Sequence, residues 1–137
     1  MRGYRIVVAA HGPLAASFVA SAALICGPID DCATVHLDPA DSPESFRDRL
    51  LDAMGDAGTT RPLLLLTDLA GGTPSNVSLA VSRGLPHVVV ISGINLAVLV
   101  EAVTSVETLD PASVSGLVAS GREALVDAET LMGSRSP

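Results

Sequence analysis

The stretch Arg5-Ile6-Val7-Val8-Ala9-Ala10-His11-Gly12-Pro13-Leu14-Ala15-Ala16-Ser17-Phe18 decides how this chain folds. After Arg5 it runs apolar to Ala10 and is rich in β-branched side chains. A strand with one wet face alternates apolar and polar residues; this one does not. It therefore reads as a strand buried on both faces, as in a parallel sheet covered by helices. His11-Gly12-Pro13 breaks the run. Leu14, Phe18, Ala22 and Ile25 then recur at helical spacing, and Gly27-Pro28 stops the helix.

The same unit repeats along the chain. Thr34-Val35-His36-Leu37 reads as a short second strand. Ser42 suits the N-cap and Pro43 the first position of a helix running to about Met54. Residues 62–68 read as a third strand, apolar on both faces, followed by a Gly-rich turn from Leu69 to Thr73. A helix from Pro74 to about Arg83 precedes a fourth strand, Val88-Val89-Val90-Ile91. Asn95 to about Thr104 reads as helix. Ser113 to Met132 reads as mostly helical, interrupted at Gly116 and Gly121. The βαβαβαβα order predicts an α/β fold: a single three-layer domain with a mainly parallel sheet and helices on both faces. The domain is expected over residues 1–132, with 133–137 as a disordered tail.

Composition narrows the function. The chain has 137 residues, 48% of them hydrophobic, with two Phe, one Tyr and no Trp, so its core is aliphatic. A formal charge of −7 argues against a nucleic-acid partner. No apolar run reaches signal-peptide or membrane-spanning length, so a cytoplasmic location is expected. Cys26 and Cys32 fit no metal-ligand spacing and are expected to be packed, reduced thiols. No metal site and no cofactor are expected.

Open α/β sheets place their sites beyond the carboxyl ends of the strands. Strand one delivers His11 there, strand three Asp68 and Ala70-Gly71-Gly72-Thr73, and strand four Ser92-Gly93-Ile94-Asn95. If strands one and three are neighbours, His11 and Asp68 meet. Gly71 and Gly72 leave backbone N–H groups uncovered, Thr73 suits the cap of the next helix, and Pro74 suits its first position. A helix N-terminus there offers donors to a phosphoryl group. The Gly-Lys-Ser/Thr ending of a nucleotide-binding P-loop is absent. His11 can serve as a nucleophile, with one ring nitrogen donating to Asp68 and the other attacking phosphorus. Gly12 is expected to keep the approach open. Each residue alone has a plainer role: His11 as a packed strand end, Asp68 as a turn cap, Gly71-Gly72 as a turn. Their convergence on one edge favours chemistry. His36 and His87 do not follow a strand's carboxyl end and are expected to be structural or surface residues. Asn95 either caps its helix or lines the site.

These segments resemble the IIA component of the mannose-type family of the sugar phosphotransferase system. The matching stretches are residues 6–12, residues 66–76 with their Asp-x-x-Gly-Gly-Thr-Pro-x-Asn pattern, residues 92–101, and Ser120-Gly121-Arg122-Glu123. The resemblance implies that His11 takes a phosphoryl group from phosphohistidine HPr and gives it to a histidine of a IIB protein, serving membrane IIC and IID components indirectly. It implies Asp68 as the partner of His11 and a strand order of 2-1-3-4. It also implies a homodimer in which a strand near the C-terminus can be exchanged, so a short strand is expected around Val103–Leu109 or later. Ala70 and Ala97 depart from the family pattern without removing a catalytic group. A IIB acceptor on a separate protein is expected. The rivals are a phosphotransfer subunit of the dihydroxyacetone kinase system, a regulatory sensor of phosphorylation state, and an anion-binding domain without transfer.

Overall fold

The computed structural model describes residues 2–133. Four strands form one parallel sheet: β1 (Arg5–His11), β2 (Cys32–Leu37), β3 (Leu63–Thr67) and β4 (Val88–Ser92), in the order β2-β1-β3-β4. The helices among the described residues are α1 (Leu14–Cys26), α2 (Pro43–Met54), α3 (Thr73–Ser82), α4 (Leu96–Thr104), α5 (Pro111–Glu123) and α6 (Ala128–Leu131).

The pleat of the strands sorts the core into two layers. Ile6, Val8, Ala10, Leu64 and Leu66 face α1, α4 and α5. Val7, Ala9, Leu63 and Leu65 face α2 and α3. Leu63 to Leu66 are all fully buried, and each such side chain contributes about 1.5–3 kcal/mol by leaving water. This is why neither β1 nor β3 alternates in sequence. Small residues on α1, Ala15 and Ala22, let that helix lie close to the sheet. Gly121 does the same between helices, since a Cβ there would stand 2.5 Å from Val98 Cγ2.

The order places β1 at the centre. The chain leaves β1 toward β2 on one side and returns to β3 on the other, so the carboxyl ends of β1 and β3 flank the switch point of the sheet. Ala9 pairs with Thr67 there, which leaves His11 and Asp68 past the last residues paired between β1 and β3, while His11 still pairs with Leu37 of β2.

Several expected boundaries move. β2 begins at Cys32 rather than Thr34, and β3 excludes Pro62 and Asp68. The second helix matches closely: Ser42 caps it in a capping box with Ser45, with Pro43 at the start. Gly116 and Gly121 do not interrupt α5, which starts at Pro111 behind an Asp110 cap. The helical run breaks instead at residues 124–127. The strand expected around Val103–Leu109 is not formed among the described residues of this chain. Val103 and Thr104 finish α4, and the following segment is pinned by Gly3 N–H to Glu107 O at 2.9 Å and by the Tyr4 hydroxyl to Val106 O at 3.2 Å. Of the tail 133–137, only Gly133 lies within the described residues.

Candidate active site

His11 is the last residue of β1 and its side chain is 46% exposed, whereas the Asp68 side chain is 11% exposed. One carboxylate oxygen, Asp68 Oδ2, accepts twice from His11: from the backbone N–H at 3.0 Å and from ring Nδ1 at 2.8 Å. The backbone contact fixes where the carboxylate sits, and the ring contact fixes the tautomer. With the proton on Nδ1, Nε2 keeps its lone pair. Burial pushes the Asp68 carboxyl up. The two His11 hydrogen bonds and the charge of the ring more than offset that and hold it below the ordinary value. The other oxygen, Oδ1, is buried without a hydrogen-bond partner among the described residues.

The glycine turn lies against the free side of the ring. A Cβ on Gly72 would stand 2.8 Å from His11 Cε1 and 3.5 Å from Nε2. Only a residue without a side chain lets the backbone come this close. Gly71 has φ +85°, a left-handed conformation that glycine adopts without strain. Gly72 N–H closes the turn onto Leu69 O at 3.1 Å, so it is already committed. The donors of this segment that reach no acceptor among the described residues include the N–H groups of Gly71, Thr73 and Ser75. Two of these belong to the first turn of α3, whose N–H groups lack intrahelical partners and carry the positive end of the helix dipole. An oxyanion placed here meets amide donors with no lysine beside them.

Three expectations need refinement. Thr73 is not the cap of α3: Gly72 occupies that position without a side-chain bond, and Thr73 is the first helical residue. Its hydroxyl makes no hydrogen bond to a described residue and remains available to a ligand. Gly12 has a backbone reason to be glycine beside the open approach expected of it for an incoming donor. It has φ +54°, and a Cβ there would meet nothing within 4 Å. Asn95 is the cap of α4. Its Oδ1 accepts from Val98 N–H at 3.0 Å and its Nδ2 donates to Gly121 O at 2.8 Å, so both ends hold α4 and α5 together. His36 lies inside β2, as the register partner of Ala10 and one residue short of that strand's carboxyl end, while His87 is exposed before β4 at the opposite edge. Cys26 and Cys32 are free thiols, and burial pushes the Cys32 thiol up.

Asn76, which ends the Asp-x-x-Gly-Gly-Thr-Pro-x-Asn pattern but was given no role from sequence, donates from Nδ2 to Gly71 O at 3.1 Å and closes the turn from behind. The hydroxyls of Thr67, Ser92 and Ser75, beneath the turn, were overlooked as well. For Thr67 and Ser92 the signal is a polar residue ending an aliphatic run, 63–66 and 88–91.

The family model described as the PTS system fructose IIA component (EIIA-man) matches residues 5–119. The chain belongs to the EIIA-man family. Membership implies a phosphocarrier role in the sugar phosphotransferase system. The PTS system sorbose-specific EIIA component of Lacticaseibacillus casei is 27% identical over 113 residues, covering 82% of this chain and 79% of that protein. The PTS system mannose-specific EIIAB component of Escherichia coli K12 is 27% identical over 96 residues, 70% of this chain. The match spans only 30% of that relative's length. Among solved structures, phosphotransferase system component EIIA from Streptococcus agalactiae superposes with a TM-score of 0.83 at 32% identity, covering 93% of this chain and 98% of that one. The mannose/sorbose specific IIA subunit from Enterococcus faecalis gives the same TM-score and identity, covering 93% and 95%. No helix among the described residues is long and apolar enough to cross a membrane.

Proposed function

We propose that this EIIA-man chain carries a phosphoryl group on His11 Nε2, taking it from phosphohistidine HPr and passing it to a histidine of a IIB protein. The observation that supports this most directly is the two-sided setting of the His11 ring. Asp68 holds Nδ1 at 2.8 Å, and the backbone of the Gly72 turn lies against the Cε1–Nε2 edge.

The step balances without a metal or a cofactor. The Nε2 lone pair forms a bond to phosphorus as the N–P bond of the donor breaks. The donor imidazole leaves with that electron pair and regains a neutral ring. His11 keeps its Nδ1 proton and becomes a positively charged phosphoimidazole. The Asp68 carboxylate stabilises that charge, and the amides of Gly71, Thr73 and Ser75 with the Thr73 hydroxyl receive the phosphoryl oxygens. Transfer to the IIB histidine is the same exchange in reverse. An exposed nucleophile suits protein partners, which must bring their own histidine to it. The sugar never meets this site under that reading, so its identity, mannose or sorbose or another, is set elsewhere in the system.

The test is incubation with phosphorylated HPr. Wild type gains an acid-labile, base-stable phosphate, and His11→Ala gains none. Labelling that persists in His11→Ala would overturn the proposal.

A further inference from the structure

The fully buried polar side chains among the described residues are Thr67, Ser75 and Ser78, and two of them meet in one chain of hydroxyls. Thr67 Oγ1 donates to Ser92 Oγ at 2.7 Å, and Ser92 Oγ shares a further hydrogen bond of 2.7 Å with Ser75 Oγ. A buried hydroxyl left unbonded costs free energy, as at Ser78, whose Oγ has no partner among the described residues, and valine or alanine would have filled the same aliphatic surroundings without that demand. What hydroxyls add is direction and fixed length.

The three residues stand where position matters. Thr67 ends β3 and is followed at once by Asp68. Ser92 ends β4 and is the register partner of Thr67. Ser75 lies in the first turn of α3, two residues beyond Thr73. Thr67 O also accepts from Gly93 N–H at 2.9 Å and from Ile94 N–H at 3.1 Å, so this strand end is fixed by backbone as well. The apolar anchors of α3, Val77 and Val81, come later along the helix. Its N-terminal end is held by Pro74, by Ser75 and by the turn's own bonds. The contact that needs this accuracy is Gly72 against the His11 ring, where a single added carbon would already collide.

We propose that the Thr67–Ser92–Ser75 hydroxyl chain is a positioning element that seats the N-terminus of α3, and with it the amide donors of the turn, against His11. This rests on the phosphocarrier reading for its kinetic consequence but not for its structural one. The three hydroxyls act by positioning, since none of them touches the reacting atoms.

The experiment compares Ser92→Ala, Ser75→Ala, Thr67→Val and the conservative Thr67→Ser with wild type. Single-turnover phosphorylation by phosphorylated HPr is measured across donor concentrations, together with Tm. In parallel, the amide resonances of Gly71 and Thr73 are recorded in the unphosphorylated proteins. Small displacements of a reacting geometry are costly, so the saturating rate is expected to fall about tenfold in Ser92→Ala and Ser75→Ala, with the donor KM unchanged. The Gly71 and Thr73 amides shift, while those of Gly55 and Gly58, at the far end of the sheet, stay in place. Thr67→Ser keeps the wild-type rate, and Thr67→Val behaves like Ser92→Ala. A lowered Tm with unchanged rate and unchanged amides overturns the inference and leaves the hydroxyls as ordinary packing. If wild type takes no label, the phosphocarrier reading fails instead, and shifted amides in Ser92→Ala still support the seating.

Discussion

Asp31 and Asp68 stand at opposite ends of the same sheet, and both carboxyls are held below their ordinary value. Their partners differ. Asp31 precedes β2 at the amino edge. It accepts from Arg61 through both oxygens, at 2.6 and 2.8 Å, and from Arg5 Nη1 at 2.8 Å. The Arg61 hydrogen bonds are the main cause of its lowered pKa, with Arg5 adding to them. Fixed guanidinium charges use up both oxygens. Asp68 has two donors on one oxygen, none on the other, and a partner ring whose charge can change. A saturated ion pair holds structure. A carboxylate beside a half-exposed imidazole, with unused amides across from it, is the arrangement on which the proposed phosphoryl transfer rests.

The largest effect that would break this comparison is loss of transfer in Asp68→Ala. General acid–base partners of this kind typically contribute about 10²–10⁴-fold. We expect the single-turnover rate to fall within that range while the fold is retained. Asp31→Ala, measured beside it, should transfer at the wild-type rate. Equal losses from the two substitutions would erase the distinction between the edges.

Gly72→Ala comes next. The new methyl would stand 2.8 Å from His11 Cε1 and 3.3 Å from Leu69 O, so something must give. The half-exposed ring is the freer of the two, and swinging it out breaks its bond to Asp68. The transfer rate should fall about ten- to a hundredfold, as misplaced reacting groups do, with little change in Tm. Gly12→Ala sharpens the point by failing differently. Its Cβ meets nothing within 4 Å, but φ is +54°, so the cost is backbone strain of about 1–2 kcal/mol. A lowered Tm and a smaller loss of rate are expected there. A Gly12→Ala protein slower than Gly72→Ala would contradict the placement of the turn against the ring.

The contrast between the edges was only half legible in the sequence. His11, Asp68 and the Gly71-Gly72 turn could be found because each ends a strand or opens a helix, and local patterns mark such places. That β1 and β3 are neighbours is a non-local fact. The apolar runs predict a parallel sheet without fixing its order, and the order 2-1-3-4 came from the family resemblance. Thr73 looked like a cap because threonine prefers that position, but the extended conformation of Gly72 places the cap one residue earlier. Gly116 and Gly121 looked like breaks because glycine weakens helices. At Gly121 close packing against Val98 overrides that propensity. The amino-edge cluster was not visible at all. Arg5, Asp31 and Arg61 are far apart in sequence, and no spacing rule joins them.

Asp31→Asn gives the smallest expected effect and isolates the amino edge. Asp31 has φ +52°, and asparagine tolerates that conformation about as well as aspartate, so the substitution removes charge with little change of backbone. The folded-state pKa of Asp31 is lowered from 3.8 to about 2. A lowered carboxyl pKa means the unfolded chain binds the proton more readily. The pair therefore stabilises the fold above pH 4, and that contribution is lost as the pH falls toward 2. Chemical denaturation at a series of pH values should show a shallower decline below pH 4 in Asp31→Asn than in wild type. At neutral pH the difference should stay within a few degrees of Tm and shrink on adding salt, because the Asp31 side chain is 34% exposed and its ion pairs are screened. An identical acid limb in the two proteins would mean that the arginines hold Asp31 no better than water does. The amino edge would then be no more tightly tied than the edge that carries His11.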